Sequence, residues 1–456
     1  MPNYDINEDG GGESSVVKVI VLNFNGGELT WRCVNAVGAL DAAGPVAELV
    51  VIDNASTDGS LAALREKLLA VEIIENPANG GFPANNLAMR DLDGVDYVAL
   101  LNNDAFPEPN WLTELVAAME SDRGLGAVCS KMVLAPQFLD VSITSPGFDA
   151  GPLDSRRLGV QVRGVNAGKT DLWKGAHLGT GGWGREYDHS GAFEWAAPSA
   201  TLRIPVEVGV TSIEVTIRLQ SLEPIEVTID GGARAKTETV MPEGSDVTIT
   251  VKGEPYDVIN NVGSFLYEDG AGADRGWLER DWGQYDQPVD VFAWCGGAVL
   301  LRPEYLEDVG LFDERFFLYY EDTDLSWRGQ ARGWRYRTAP KAVVRHVHSA
   351  SSGVGSAVFE HYVERNRLLL LVKNAPMPVA IREMVRFTRS TASYGLRRVV
   401  IPLLHGRRPE TKLVRRRVKS FMSFLRLLPA MLLTRRSLRR EKLVDDVELA
   451  KWFVER

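Results

Sequence analysis

Three groups of polar residues in this chain could do chemistry. The first closes the apolar run Tyr97-Val98-Ala99-Leu100-Leu101 with Asn102, Asn103 and Asp104, just ahead of Pro107 and Pro109. A carboxylate released at that point is placed to hold a metal ion or a diphosphate, although turn-forming Asn and Asp at a strand end would explain the same residues without chemistry. The second sets Glu321, Asp322 and Asp324 directly after Phe316-Phe317-Leu318-Tyr319-Tyr320. One acid would satisfy a helix start, so three beside so many aromatics exceed what capping requires. An Asp there has its pKa raised by desolvation and by the neighbouring acid, which helps it accept a proton near neutrality. The third carries His346 and His348 into Ser349-Ala350-Ser351-Ser352-Gly353.

The elements around these residues follow from pattern. Residues 16–22 (VVKVIVL), 49–52 (LVVI) and 97–101 are apolar without alternation, as in strands buried on both faces of a mostly parallel sheet. Helices are predicted over 29–40 and 60–69, a third strand over 71–74, and a further helix opening within 79–86. Strands alternating with helices indicate a doubly wound α/β fold. In such sheets ligands lie beyond the carboxyl ends of the strands, so the polar loops 23–27, 53–60 and 79–86 should gather along one edge, where a nucleotide would lie. The pattern resumes near residue 260. It gives a Gly-pair strand (VDVFAWCGGAVLLR), a helix from 324 to 332 stopped by Gly333, and strands over 334–338 and 342–347.

Between the two α/β stretches the periodicity changes to two. Residues 201–208, 212–219, 225–230 and 247–251 each alternate polar and apolar, with Gly231-Gly232 and residues 243–246 as turns. This predicts an inserted antiparallel β-sandwich. Trp173, Trp183 and Trp195 stand there in Gly-rich surroundings, available to stack on sugar rings or to fill a core. The expected organisation is a disordered N-terminus (1–15), two halves of one α/β domain (16–140 and 259–375), the sandwich (141–258) and a helical tail (376–456).

A net charge of −10 conceals an asymmetry, because Arg and Lys crowd residues 382–442. The apolar segment 421–433 lies between RRRVK and RRSLRR, and Arg426 and Pro429 interrupt it. It falls short of the roughly 20 apolar residues of a spanning helix and reads instead as a surface segment for an anionic membrane. Nucleic acid is not expected as a partner, since the rest of the chain is acidic. Cys33, Cys129 and Cys295 form neither a disulfide framework nor a zinc spacing, and the first fifteen residues hold no apolar signal core. A reducing cytoplasm, at the inner face of the membrane, is the expected compartment.

Taken in order, VLNFNGG, VVIDNASTDGS, NGGFPANN, LLNNDA, CGGAVLLR and FDERFFLYYEDTDLSWR resemble the family-two inverting glycosyltransferases of GT-A fold, and among them rhamnosyltransferase-like enzymes of bacterial cell-envelope glycan assembly. The resemblance covers roughly residues 16–139 and 260–374. It implies that Asp53 contacts the base of a nucleotide-sugar donor, with Asn23, Asn25, Asn54, Asn79, Gly81, Asn102 and Asn103 on the donor side. Asp104 takes the place of the last acid of the D-x-D metal motif, and Asn102 stands where the first acid would be. His346, in an H-x-x-S-x-S pattern, resembles the histidine that completes the metal site, which implies Mn²⁺ or Mg²⁺. Asp322 matches the catalytic base and Glu321 its partner. Trp294, Cys295, Gly296 and Gly297 fall on the acceptor side, where paired glycines permit close backbone approach. The loop 79–86 is one residue shorter than the family's version.

The implied activity moves a sugar, rhamnose being one candidate, from a dTDP-, UDP- or GDP-linked donor to a lipid-linked or polysaccharide acceptor. Two other readings compete. A non-catalytic glycan-binding or scaffold protein would have no need of both Asp104 and Asp322. A sugar nucleotidyltransferase would want a basic triphosphate loop, and residues 23–27 contain neither Lys nor Arg.

Overall fold

The computed structural model describes residues 14–67, 71–151, 154–347 and 356–455. The N-terminal segment through residue 13, the last residues of the predicted 60–69 helix and the serines after His346 (with His348) lie outside the described residues. Two compact units are present: Met1–Val133 with Asn260–Trp277 and Gly283–Arg456, and Leu134–Ile259 with Leu278–Trp282.

The first unit is built on a mixed α/β sheet. Its strands β1 (Val16–Asn23), β2 (Val46–Asp53), β3 (Glu72–Glu75) and β4 (Tyr97–Asn102) lie in the order β3-β2-β1-β4 and run parallel. The Ala298–Leu301 strand follows, antiparallel to β4 and to β6 (Leu125–Leu134), and the long strand Arg335–His346 lies beyond β6. A short strand, β5 (Ala105–Pro107), pairs with the end of that long strand and sets His346 opposite Ala105.

The unbroken apolar runs exist because both faces of this sheet are covered. Val19, Val21 and Leu101 pack with Cys33, Val34 and Val37 of the Gly27–Gly38 helix and with Trp111 and Leu115 of the Trp111–Glu120 helix. Ile20, Ile52, Val98 and Leu100 pack on the other face with Trp294, Tyr305, Leu325 and Tyr336. Each such side chain, wholly withdrawn from water, contributes about 1.5–3 kcal/mol.

Register then fixes where the polar residues emerge. Asn23 is paired with Asp53, and Leu22 with Asn102, so the ends of three adjacent parallel strands stop at one level. Because β2 and β4 flank β1, the chain reverses direction across the sheet there, which is the place where open α/β sheets bind ligands.

Two differences from the sequence expectation concern helices and strands. The acidic helix begins at Glu321, not Asp324, so Glu321 and Asp322 stand in its first turn. The two short strands predicted near 334–347 form one strand, Arg335–His346. Pro429, which interrupts the apolar segment in sequence, sits inside a single helix, Lys412–Glu441. That helix packs on Ala357–Asn374 through Phe424 and Met431 against Leu368, Leu371 and Val372. Several of its cations are spent internally: Arg417 pairs with Glu364 (2.6 Å), Arg416 with Glu360, and Arg439 with Asp446 (2.6 Å). Among the described residues, no helix is long and apolar enough to cross a membrane.

In the second unit the alternating segments form two antiparallel sheets. One contains Gln161–Ala167, Ser212–Gln220 and Ser245–Lys252, and the other Gln137–Thr144, Ser199–Val206 and Ile225–Asp230. Their inward residues, such as Val162, Ile217, Leu202 and Ile229, make the core. Trp195 is buried and Trp173 lies under the Arg185 guanidinium (4.0 Å), so only Trp183 of the three tryptophans is exposed.

Candidate active site

The carboxyl edge of the sheet gathers most of the residues singled out above, in three layers. Deepest is a lattice of asparagines. The Asn23 amide donates to Asp53 Oδ1 (2.8 Å), Ser56 and Ser60, while its oxygen accepts from Thr30 (2.7 Å) and the Gly26 N–H. Asn54 donates to Asn79 Oδ1 and to the Gly81 carbonyl (both 3.0 Å), and accepts from Asn76 and the Gly80 N–H (both 2.9 Å). An amide has two donors and one acceptor oxygen. Both are therefore fully used, and both residues are buried. This corrects the expectation for Asn23 and Asn54, which shape the donor-side loops instead of facing a ligand.

Asp53 accepts from Asn23 and, through Oδ2, from the Ser56 N–H (3.1 Å), keeping lone pairs on each oxygen. Asn25 is exposed, in a left-handed conformation (φ 52°), and accepts from the Thr57 N–H (2.7 Å). Asn103 is tied to Thr30 (2.9 Å) and the Asn79 oxygen also receives the Gly81 N–H. Gly81 has φ +69°, and a Cβ there would overlap the Phe317 carbonyl, which accepts the Phe82 N–H (2.8 Å). Only glycine fits that approach.

The second layer is the expected metal pair. His346 Nε2 lies 3.0 Å from Asp104 Oδ1, and both residues are buried. Nδ1 faces Asn260 Oδ1 at 2.9 Å, so it carries a proton and Nε2 is turned to Asp104. A ring that donates one N–H to an oxygen and aims its other nitrogen at a carboxylate is the usual support of a metal-binding imidazole. Asn102, partly exposed, comes within 3.5 Å of Nε2. These groups fit a divalent ion: a hard oxygen and an imidazole suit Mn²⁺, and Mg²⁺ is commonly held by one or two carboxylates with substrate phosphates. Among the described residues there is no group of three or more His, Cys, Asp or Glu that could hold a metal.

In the third layer, Asp322 Oδ2 accepts from the Gly296 N–H (3.1 Å), and Oδ1 accepts from the Thr323 N–H (2.6 Å) and hydroxyl (3.1 Å). Burial raises its pKa, against those hydrogen bonds, which lower it. Glu321 is 5% exposed, and its Oε2 has no partner among the described residues. Burial first, then the charge of Asp322, pushes its carboxyl well above the usual range. Both shifts oppose two charges side by side, and Asp322 accepts hydrogen bonds from Gly296 and Thr323 that favour its charged form. Asp324 is a different kind of acid. It is wholly buried and bound to Arg328 (3.0 Å), Lys373 (2.8 Å) and Asn374 (2.8 Å), so it anchors the helix.

The turn ahead of that helix is strained. Phe317, Tyr319 and Tyr320 all have positive φ (66°, 67°, 71°), a conformation bulky side chains rarely adopt. Asn366, fully buried, donates to the carbonyls of Phe316 (2.8 Å), Leu318 (2.9 Å) and Tyr319 (2.7 Å). Arg365 adds bonds to the Arg315 and Phe316 carbonyls. Sequence reasoning missed both residues, since an Arg-Asn pair within a helix has no pattern that marks it. It also missed Asn260 and Asp274, an exposed acid whose carboxyl feels the charges of Asp322 and His346.

Cys295 is half-buried and Gly296 and Gly297 adjoin the site, with Gly297 against Asn102. Trp294 is corrected: it is fully buried, edge-on to Phe312 (6.0 Å), and belongs to the core beneath the site.

With this geometry in view, comparison with known proteins shows what the chain resembles. Residues 18–135 match the family model of glycosyl transferase family 2. The matched segment spans β1 to β6 with the asparagine lattice and Asp104, and it supports sugar transfer as the reaction. Curated relatives are similar over shorter stretches. The N-acetylglucosaminyl-diphospho-decaprenol L-rhamnosyltransferase of Mycobacterium tuberculosis is 41% identical over 69 residues, 15% of this chain and 22% of that protein. Glycosyltransferase AglE of Haloferax volcanii is 29% identical over 107 residues, 23% of this chain and 35% of that protein. The chain therefore spans well under half the length of the curated relatives it matches. Among solved structures, GalNAc-T7 with UDP, GalNAc and Mn²⁺ aligns at 14% identity and TM-score 0.42 over 79% of this chain and 48% of that one. The mannosyltransferase PcManGT from Pyrobaculum calidifontis, in complex with GDP-Man and Mn²⁺, aligns at 14% identity and TM-score 0.38 over 96% and 79%.

Proposed function

We propose that this protein is an inverting, divalent-metal-dependent glycosyltransferase of GT-A type that uses a nucleotide-diphosphate sugar. The observation that carries the reading is the joining, at one sheet edge, of a supported Asp104–His346 pair and an uncompensated acid pair, Glu321 and Asp322. Asp53 and the exposed Asn25 would receive the nucleoside, while Asn79, Asn102 and Asn103 border the diphosphate. Asp104 and His346 would hold Mn²⁺ or Mg²⁺, which when bound offsets the charge of the departing diphosphate. Asp322 takes the proton of the acceptor hydroxyl, with Gly296 and Thr323 orienting its two oxygens. The raised pKa of Glu321 opposes a second negative charge beside Asp322. Inversion requires only this one base, because the acceptor oxygen forms the new bond as the diphosphate leaves from the opposite face.

The acceptor we favour is a lipid-linked glycan of the cell envelope, with rhamnose the leading donor sugar; the mycobacterial relative, named for rhamnosyl transfer to a decaprenol-linked acceptor, supports this. The C-terminal helices would hold the enzyme at the inner face of an anionic membrane. Their outer surface carries the apolar side chains Ile401, Leu403, Leu404 and Met422 among Arg397, Arg407, Arg408 and Lys419. The test is release of nucleoside diphosphate from a panel of dTDP-, UDP- and GDP-sugars, with Mn²⁺, Mg²⁺ or chelator and a membrane extract as acceptor source. Metal-dependent release from one donor is expected. Silence across the panel, together with no donor binding, would overturn the proposal.

A further inference from the structure

The short hairpin after residue 260 brings another acid into the cleft. Ser264–Leu266 and Gly272–Asp274 pair antiparallel, with Ser264 opposite Asp274. Three ties fix the position of Asp274. Ser264 exchanges both backbone hydrogen bonds with Ala293 (2.8 and 3.1 Å), three residues before the Gly296 N–H that reaches Asp322. The Gly272 N–H donates to the Tyr320 hydroxyl (3.1 Å), next to Glu321. Asn261, the neighbour of the residue that supports His346, donates to Asp274 Oδ1 (2.6 Å), and the Ser264 hydroxyl lies 3.4 Å from the same oxygen. Asp274 is thus bracketed by the catalytic-base turn, the Cys295–Gly297 stretch and the metal pair. The electrostatics agree, since Asp322 and His346 both act on its carboxyl, and burial first, then Asp274 and Asp322, push up the Cys295 thiol.

One oxygen of Asp274 is held and the other, Oδ2, accepts no hydrogen bond among the described residues, while the residue itself is exposed. A fixed carboxylate with one open oxygen is built to accept hydrogen bonds from a ligand. We propose that Asp274 binds a hydroxyl of a sugar ring seated beside Asp322, and so fixes the ring on which, or to which, transfer occurs. This rests on the transferase reading above.

The test uses the full chain with Mn²⁺, titrating calorimetrically the nucleotide sugar that the wild type turns over and the matching nucleoside diphosphate. A charge-assisted hydrogen bond lost from a bound sugar weakens its site by about tenfold or more. If the ring is the donor's, Asp274→Ala binds the nucleotide sugar about tenfold more weakly and the nucleoside diphosphate as before. If the ring is the acceptor's, both affinities hold and the acceptor KM rises by a similar factor. Asp274→Asn, which keeps an acceptor oxygen, falls between wild type and Asp274→Ala in either case. Unchanged constants in all three measurements overturn the assignment while leaving the transferase reading intact. Loss of nucleoside diphosphate binding also overturns it, by making Asp274 a structural residue. A wild-type protein that turns over no donor removes the transferase reading and this inference with it.

Discussion

Asn366 offers the sharpest test of how the base is positioned, because it touches neither reacting group. Its amide reaches three carbonyls of the turn that precedes Asp322, and two hydrogens are shared among them. Three left-handed aromatic residues in that turn store about 1–3 kcal/mol each, several kcal/mol together, that the surroundings must offset. Asn366→Asp is nearly isosteric but replaces the donor with oxygens facing those carbonyls. Removing two donors from buried carbonyls costs about 1–3 kcal/mol each, enough to let the turn relax. A displacement of about 1 Å at the base is worth about 100-fold in rate. The expected result is a kcat lowered about 100-fold with a smaller loss of donor affinity, because Asn366 reaches the donor-side loop only through the turn whose Phe317 carbonyl accepts the Phe82 N–H. The assay is nucleoside diphosphate release at saturating donor, paired with calorimetric donor binding and a thermal melt. A wild-type kcat in a folded Asn366→Asp protein would refute the reasoning, as would a donor affinity that fell in step with kcat.

Other expectations follow from the same geometry. Glu321→Gln, at a carboxyl that burial pushes toward its protonated form, should keep activity within about fivefold of wild type, whereas a Glu321 acting as the base would cost about 10²–10⁴. A raised carboxyl pKa in the folded state means that stability is fully present below the ordinary Glu value and is lost as pH rises through the folded value. The melting temperature of wild type should therefore fall relative to Glu321→Gln as pH is raised from about 5 to 8. Asn260→Ala should raise the Mn²⁺ concentration needed for half-maximal activity about 10–100-fold at unchanged fold, read by metal titration. Leu403 and Leu404 changed together to Asp should abolish sedimentation with anionic vesicles but leave release from soluble acceptors intact; undiminished sedimentation would show the tail to be a packing element only.

How much of this was legible in the sequence varies with the kind of residue. The buried strands were, because a sheet covered on both faces leaves apolar runs such as VVKVIVL that need no partner to be recognised. Asp104 and His346 were marked by motif, although 242 positions apart, and the register of β5 on the long strand brings them together. The start of the acidic helix was missed by three residues. Its cap is a left-handed Tyr320 with no capping side chain, so nothing in the residue types announced it. Asn23 and Asn54 were misjudged because polarity at a strand end does not distinguish an amide that faces a ligand from one that holds loops. Trp294 was misjudged for the opposite reason, its large ring being needed by the core. Asn260 and Asn366 act through partners distant in the chain, and a single sequence carries no trace of those.

The central claim, that Asp322 is the base of a sugar transfer, is tested most directly by Asp322→Asn in the purified chain with the donor that wild type uses. Transfer and donor binding would be measured on the same preparation. The account predicts a transfer rate lower by about 10²–10⁴ with donor affinity within twofold of wild type. Transfer retained within about tenfold, with the protein folded and donor bound, would contradict it and remove Asp322 from the chemistry.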